Sequence, residues 1–113
     1  MKAARFYDKG DIRIEDIPEP VVEAGTVGIQ VAWCGICGTD LHEFIDGPIF
    51  IPACGHPHPI SGESAPITMG HEFSGVVYAV GEGVDDIQVG QHVVVEPYII
   101  ADDVPTGPSD QYH

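Results

Sequence analysis

Apolar and polar positions alternate with a period of two along much of the chain. Ile12 and Ile14 flank Arg13, while Val27, Ile29, Val31 and Trp33 are separated by Gly28, Gln30 and Ala32. Successive side chains of a strand point to opposite faces, so this alternation predicts two half-buried strands. Another strand is predicted over residues 2–7, turning at Lys9 and Gly10. Residues 76–80 and 93–95 are short β-branched runs bounded by glycine, and Gly81, Gly83 and Gly90 punctuate them as turns. Only residues 39–45 read as helix, with Thr39 or Asp40 as N-cap and Leu41, Phe44 and Ile45 as the apolar side. Many short strands, regular turns and one short helix predict a mainly β fold, a small antiparallel barrel.

The 24 residues from 46 to 69 break this rhythm. Five prolines and three glycines fall there, too many for sustained regular structure. The segment is expected to run as an extended, proline-rich loop over the surface, and long ordered loops commonly line sites. Residues 101–113 hold two prolines, a glycine and three acids and read as a linker or frayed tail, so one domain is expected over residues 1–100. Gly81 and Gly83 do not begin a phosphate-binding loop, because Asp86 stands at the third glycine position and no helical pattern follows. A hairpin turn is expected there instead.

Charge narrows the range of partners. Four Lys and Arg residues against 18 Asp and Glu give a net charge of -14, which opposes phosphate backbones and argues against nucleic acid or an anionic membrane. No apolar run approaches the roughly 20 residues of a membrane span, and the start of the chain turns polar at once, so a cytoplasmic location is expected. A chain of 113 residues supports about one core. Three cysteines, two of them close together, fit metal or thiol chemistry in a reducing compartment better than a disulfide framework.

Two motifs carry candidate chemistry. The first is Cys34-Gly35-Ile36-Cys37-Gly38-Thr39-Asp40. The second, Gly70-His71-Glu72-Phe73-Ser74-Gly75, begins 33 residues after Cys37. A thiolate and an imidazole from separate segments suit a catalytic zinc site, which takes about three protein ligands and leaves a fourth position open. Cys37 precedes the predicted helix, where the dipole and free N–H groups favour a thiolate. Residue 75 is glycine, which excludes a protease-type His-Glu-x-x-His helix. The same residues permit blander readings: a redox pair at Cys34 and Cys37, an ordinary helix cap at Thr39, a surface histidine at His42. They also permit a closed structural zinc module of Cys34, Cys37, Cys54 and either His56 or His58.

The run from Cys34 to His42, and the run of Gly70, His71, Glu72, Gly75, Gly81 and Val84, resemble the zinc-containing medium-chain alcohol dehydrogenases. Val31-Ala32-Trp33-Cys34, Gly47-Pro48-Ile49-Phe50-Ile51-Pro52 and Val93-Val94-Val95-Glu96-Pro97 are similar to the 2,3-butanediol (acetoin-forming) group of that family. The resemblance extends from Met1 to about Pro97. It implies a GroES-like barrel, the N-terminal catalytic domain of an NAD- or NADP-dependent dehydrogenase of small secondary alcohols or diols. The Rossmann dinucleotide-binding domain would lie outside this chain, and the full-length protein would be a homo-oligomer.

By the same resemblance one zinc is held by Cys37 and His71, with Glu72 as an outer partner or occasional ligand and a further ligand beyond His113. Cys34 packs as core, Asp40 supports the ligands by hydrogen bonding, Thr39 touches the substrate oxygen and His42 passes its proton onward. Zinc is then the Lewis acid on the alcohol oxygen, and hydride passes to nicotinamide. Two departures qualify the likeness. Gly38 stands where some relatives have an arginine for cofactor phosphates, and residues 99–113 contain no cysteine for a four-cysteine structural zinc lobe. A stand-alone GroES-like binding or co-chaperone barrel, and the structural zinc module, are the alternatives. The isolated chain is expected to hold metal weakly and lack turnover.

Overall fold

The computed structural model of the chain describes residues 1–59 and 61–97; the predicted tail at 101–113 lies outside them. The expected mainly β architecture is present as two three-stranded antiparallel sheets. In the first, β1 (Lys2–Asp8) is central, flanked by β2 (Asp11–Asp16) and the short β4 (Ile67–Thr68). In the second, β5 (Phe73–Val80) is central between β3 (Val27–Cys34) and β6 (His92–Val94). The one helix, α1 (Gly38–Asp46), follows β3. Among the described residues the ladders form these two sheets and no closed barrel.

Local chemistry accounts for most of the elements. Gly10 adopts φ +71° at the β1–β2 turn, a left-handed conformation that glycine reaches without steric cost, and its N–H donates to the Phe44 carbonyl at 2.8 Å. β5 begins at Phe73, earlier than its β-branched run suggests, because it pairs on both sides from Ser74 onward. Gly75 is required within it: a Cβ there would collide with the Gln30 carbonyl of β3. Beyond β5 the chain takes the longer course 81–91 instead of a tight hairpin. The Gly81 N–H reaches the Thr26 carbonyl and the Gly25 N–H reaches Glu82, each at 2.8 Å.

Two expectations about the apolar pattern need correction. β3 carries register shifts between Gly28 and Ile29 and between Val31 and Trp33, and an extra residue in a ladder turns the following side chains to the other face. These shifts do not account for the exposure: from Gln30 onward β3 is exposed on both faces, with Val31 53% and Trp33 78% exposed, and Cys34, expected in the core, is exposed as well. In α1 the expected apolar side of Leu41, Phe44 and Ile45 is exposed, and the buried residue is Glu43. The core proper is small, consisting of Ala3, Phe6, Ala65 and Val77. No helix among the described residues is long and apolar enough to cross a membrane.

The proline-rich excursion runs without regular structure except for β4, as expected. It closes on itself where the Ala65 N–H donates to the Pro52 carbonyl at 2.8 Å, and it is tied to β1 by Met69 N–H to Ala4 at 2.9 Å. Arg5 adds two side-chain bonds, to the Pro66 carbonyl and, at 3.2 Å, to the Thr68 hydroxyl. These bonds fix the chain as it approaches Gly70 and His71.

An exposed cluster on β1 and β2 yields a measurable electrostatic effect. Arg13 lies 4.0 Å over the Tyr7 ring and donates to the Asp11 carboxylate at 2.9 and 2.6 Å. Those hydrogen bonds hold the Asp11 carboxyl below its ordinary pKa. A depressed carboxylate pKa contributes stability above the unfolded value, and that contribution is lost as pH falls through the folded one. Arg13→Ala is expected to move the Asp11 titration upward in a carbon-detected NMR experiment, with a small loss of stability near neutral pH that vanishes in acid and shrinks in salt. An unmoved titration would refute the pairing.

Candidate metal centre

The antiparallel register of β3 and β5 creates the site. Cys34 pairs with Phe73, and one further bond, Gly35 N–H to the Glu72 carbonyl at 2.7 Å, carries the pairing past the strand end. Cys37, three residues beyond β3, is thereby delivered to His71 and Glu72, which immediately precede β5. The Cys37 sulfur, a His71 ring nitrogen and a Glu72 carboxylate oxygen all lie within 4.8 Å of one another. Donor atoms around one tetrahedral zinc stand about 3.3–3.8 Å apart, given bonds of roughly 2.0–2.3 Å. Thiolate, imidazole and carboxylate are also the donor types zinc takes, so the group fits a zinc ion in chemistry, and a modest closing of the donors would bring it to that spacing.

α1 begins earlier than expected, with Cys37 itself as the N-cap residue. The reason is Asp40, whose Oδ2 accepts the Cys37 backbone N–H at 3.0 Å. This satisfies one donor that the helix start leaves free. The other oxygen, Oδ1, faces His71 Nδ1 at 3.5 Å, and the Asp40 side chain is largely buried. One carboxylate thus positions both predicted ligands, one through its backbone and the other through its ring. A carboxylate on Nδ1 favours the tautomer with hydrogen there and leaves the Nε2 lone pair outward. The Thr39 hydroxyl stands 3.2 Å from that Nε2.

The predicted site residues therefore divide. Cys37, Thr39, Asp40, His71 and Glu72 come together along one cleft. His42 is exposed on α1, one turn beyond Thr39. Cys34 and Cys54 do not join a metal-binding group, and neither do His56 and His58. The Cys37, His71 and Glu72 set is the one group of three such donors among the described residues. The closed structural zinc module is therefore not assembled. Cys34 lies against Gly70, whose φ of +99° and lack of a side chain let the sulfur approach.

The cleft itself measures about 450 Å³. Its remaining walls are Glu43 from α1, Phe50 and Ile51 from the excursion, Ile67 to Gly70 on and just after β4, and Pro97, so a mostly apolar chamber adjoins the polar donor group. Sequence reasoning passed over the residue that organises this wall, Glu43, which is 3% exposed. Its one available signal was a carboxylate within a helix followed closely by Gly47-Pro48, a bend whose succeeding N–H groups need an acceptor.

Comparison with known proteins follows the geometry. The alcohol dehydrogenase GroES-like domain family matches residues 23–112. The chain is 87% identical over all its 113 residues to (R,R)-butanediol dehydrogenase of Neisseria gonorrhoeae, covering 32% of that protein. It is 63% identical over 97 residues to the Bacillus subtilis enzyme of the same name, covering 86% of this chain and 28% of that protein. The crystal structure of 2R,3R-butanediol dehydrogenase from Bacillus subtilis superposes with a TM-score of 0.84 at 61% identity, over 88% of this chain and 28% of that one. A putative zinc-binding dehydrogenase from Sinorhizobium meliloti, bound to NADP, gives 0.73 at 32% identity, over 92% and 27%. The chain spans about a third or less of the length of these relatives.

Proposed function

The chain belongs to the alcohol dehydrogenase GroES-like domain family, and from that membership we propose that it is the zinc-binding catalytic domain of an NAD- or NADP-dependent dehydrogenase of small secondary alcohols, of the 2,3-butanediol-to-acetoin type. The observation that carries this reading is the convergence of Cys37, His71 and Glu72 on one point at the edge of a small apolar cleft. Identity to butanediol dehydrogenases over the whole chain supports the same substrate class.

Each residue's part follows from its position. Cys37 and His71 would hold the metal, with Glu72 as an exchangeable third donor. Asp40 keeps both oriented. Zinc held there supplies the Lewis acidity that makes an alcohol hydroxyl easier to deprotonate. The Thr39 hydroxyl, 3.2 Å from the His71 Nε2, would accept the alcohol's hydrogen bond. The proton then leaves through His42, whose exposed place one helical turn on suits exchange with solvent. The apolar wall of Phe50, Ile51 and Ile67 takes the carbon skeleton and excludes water from it. Hydride acceptance belongs to a nicotinamide domain C-terminal to these residues, in a homo-oligomeric cytoplasmic protein. The three free thiols suit a reducing compartment.

The test uses the full-length protein that carries this chain. Removing metal with a chelator is expected to lower the oxidation of butane-2,3-diol on the order of a thousandfold, with recovery on adding zinc. Full activity in metal-free protein would end the reading.

A further inference from the structure

Glu43 is not one of the three grouped donors, yet its environment is specific. The carboxylate is buried beneath α1 and accepts three consecutive backbone N–H groups: Ile49 at 2.8 Å, Phe50, and Ile51 at 3.1 Å. An ionised carboxylate offers acceptor sites only, so three converging donors match it fully. Gly47 reinforces the arrangement, since its N–H donates to the Glu43 carbonyl at 2.9 Å and a Cβ there would collide with Glu43. The backbone of residues 49–51 thus hangs on one side chain. Two of the three residues so held, Phe50 and Ile51, are cleft wall. A buried charge is a poor way to gain stability, because apolar replacements of similar volume often serve as well. Holding a wall in place requires convergent, directional bonds, and these a carboxylate supplies.

We propose that Glu43 is a positioning residue that sets the size of alcohol the cleft accepts, by clamping residues 49–51 and so fixing the Phe50 and Ile51 wall. The proposal rests on the reading of the cleft as an alcohol site. It assigns Glu43 neither metal nor substrate contact.

The decisive variant is Glu43→Gln in the zinc-loaded full-length protein. Glutamine keeps the volume and one acceptor oxygen but turns an NH2 group toward backbone donors. Amide exchange across residues 49–51 is expected to accelerate at least about tenfold. KM for butane-2,3-diol should rise about tenfold, with kcat within about threefold and zinc content unchanged, and discrimination against bulkier vicinal diols should weaken. Glu43→Asp, which keeps the carboxylate one methylene shorter, should fall between the two. Phe50→Ala should relax size discrimination without quickening exchange at 49 and 51. Faster exchange with unchanged KM and unchanged discrimination would overturn the proposal, as would an equal loss of kcat and zinc, which marks a role at the metal. If Glu43→Gln does not fold, Phe50→Ala decides, and unaltered discrimination there overturns the wall assignment. A wild-type protein that binds no zinc or oxidises no alcohol overturns the underlying reading and this proposal together, and is seen before any variant is made.

Discussion

Replacing Cys37 by serine in the full-length protein should strip it of tightly held zinc while leaving it folded. Serine is among the best N-cap residues, and the bond that starts α1 runs from the backbone N–H of residue 37 to Asp40, which the change does not touch. Folding and ligation are therefore separable at this position. What disappears is a thiolate beside the His71 ring and the Glu72 carboxylate. A serine hydroxyl stays protonated at neutral pH and is a weak zinc donor. Losing even outer partners of a zinc site costs roughly 10–100-fold in affinity, and losing the anionic sulfur should exceed that range. Elemental analysis after gel filtration measures the result. Cobalt substitution gives a second readout, since a thiolate-to-cobalt absorption band requires this sulfur. Cys34→Ser and Cys54→Ser are the controls, expected to keep the metal. Zinc retained by Cys37→Ser, or lost from Cys54→Ser, would remove the basis for the site.

Phe6→Ala is expected to bring the largest loss of stability. Phe6 is 0% exposed, and only Val77 approaches it among large buried side chains. Truncating a fully buried phenylalanine costs about 3–5 kcal/mol, against about 5–15 kcal/mol for a typical domain. The position also matters for the site. Phe6 pairs with Ile12 on one side and with Ile67 on the other, and Ile67 lines the cleft. The void would therefore open beneath β4, the strand that leads to Gly70 and His71. Chemical denaturation should show a much lower midpoint, with Phe6→Leu intermediate. A midpoint within experimental error of wild type would show that the small core is not where this fold is held.

Much of the architecture was legible beforehand because its signals are local. Period-two alternation, a glycine with positive φ at residue 10 and a proline density that forbids regular structure each act within a few residues. The site motifs were legible for a related reason, since a cysteine before a helix and a histidine before a strand hold their ligand character wherever the chain carries them. Cys34 shows the limit. Its sequence context suggested packing, yet β3 is exposed on both faces from Gln30 to Cys34. Whether a strand end is covered depends on what packs over it, and one strand's alternation does not contain that. The helix fails in the same way: Leu41, Phe44 and Ile45 form an apolar side, but the excursion packs its backbone donors against α1, and those donors require Glu43.

The amino-acid order by itself determined the strand-rich class, the single short helix and the irregular excursion, because each depends on side-chain chemistry at short separation, and it offered a cysteine and a histidine as candidate donors. Only the tertiary structure decided that three donor atoms meet within 4.8 Å, that Asp40 serves both Cys37 and His71, and that a buried carboxylate holds the cleft wall. Those outcomes depend on how β3 is registered against β5 and how a loop is laid over a helix. Hydrogen bonds between residues far apart in the chain set both.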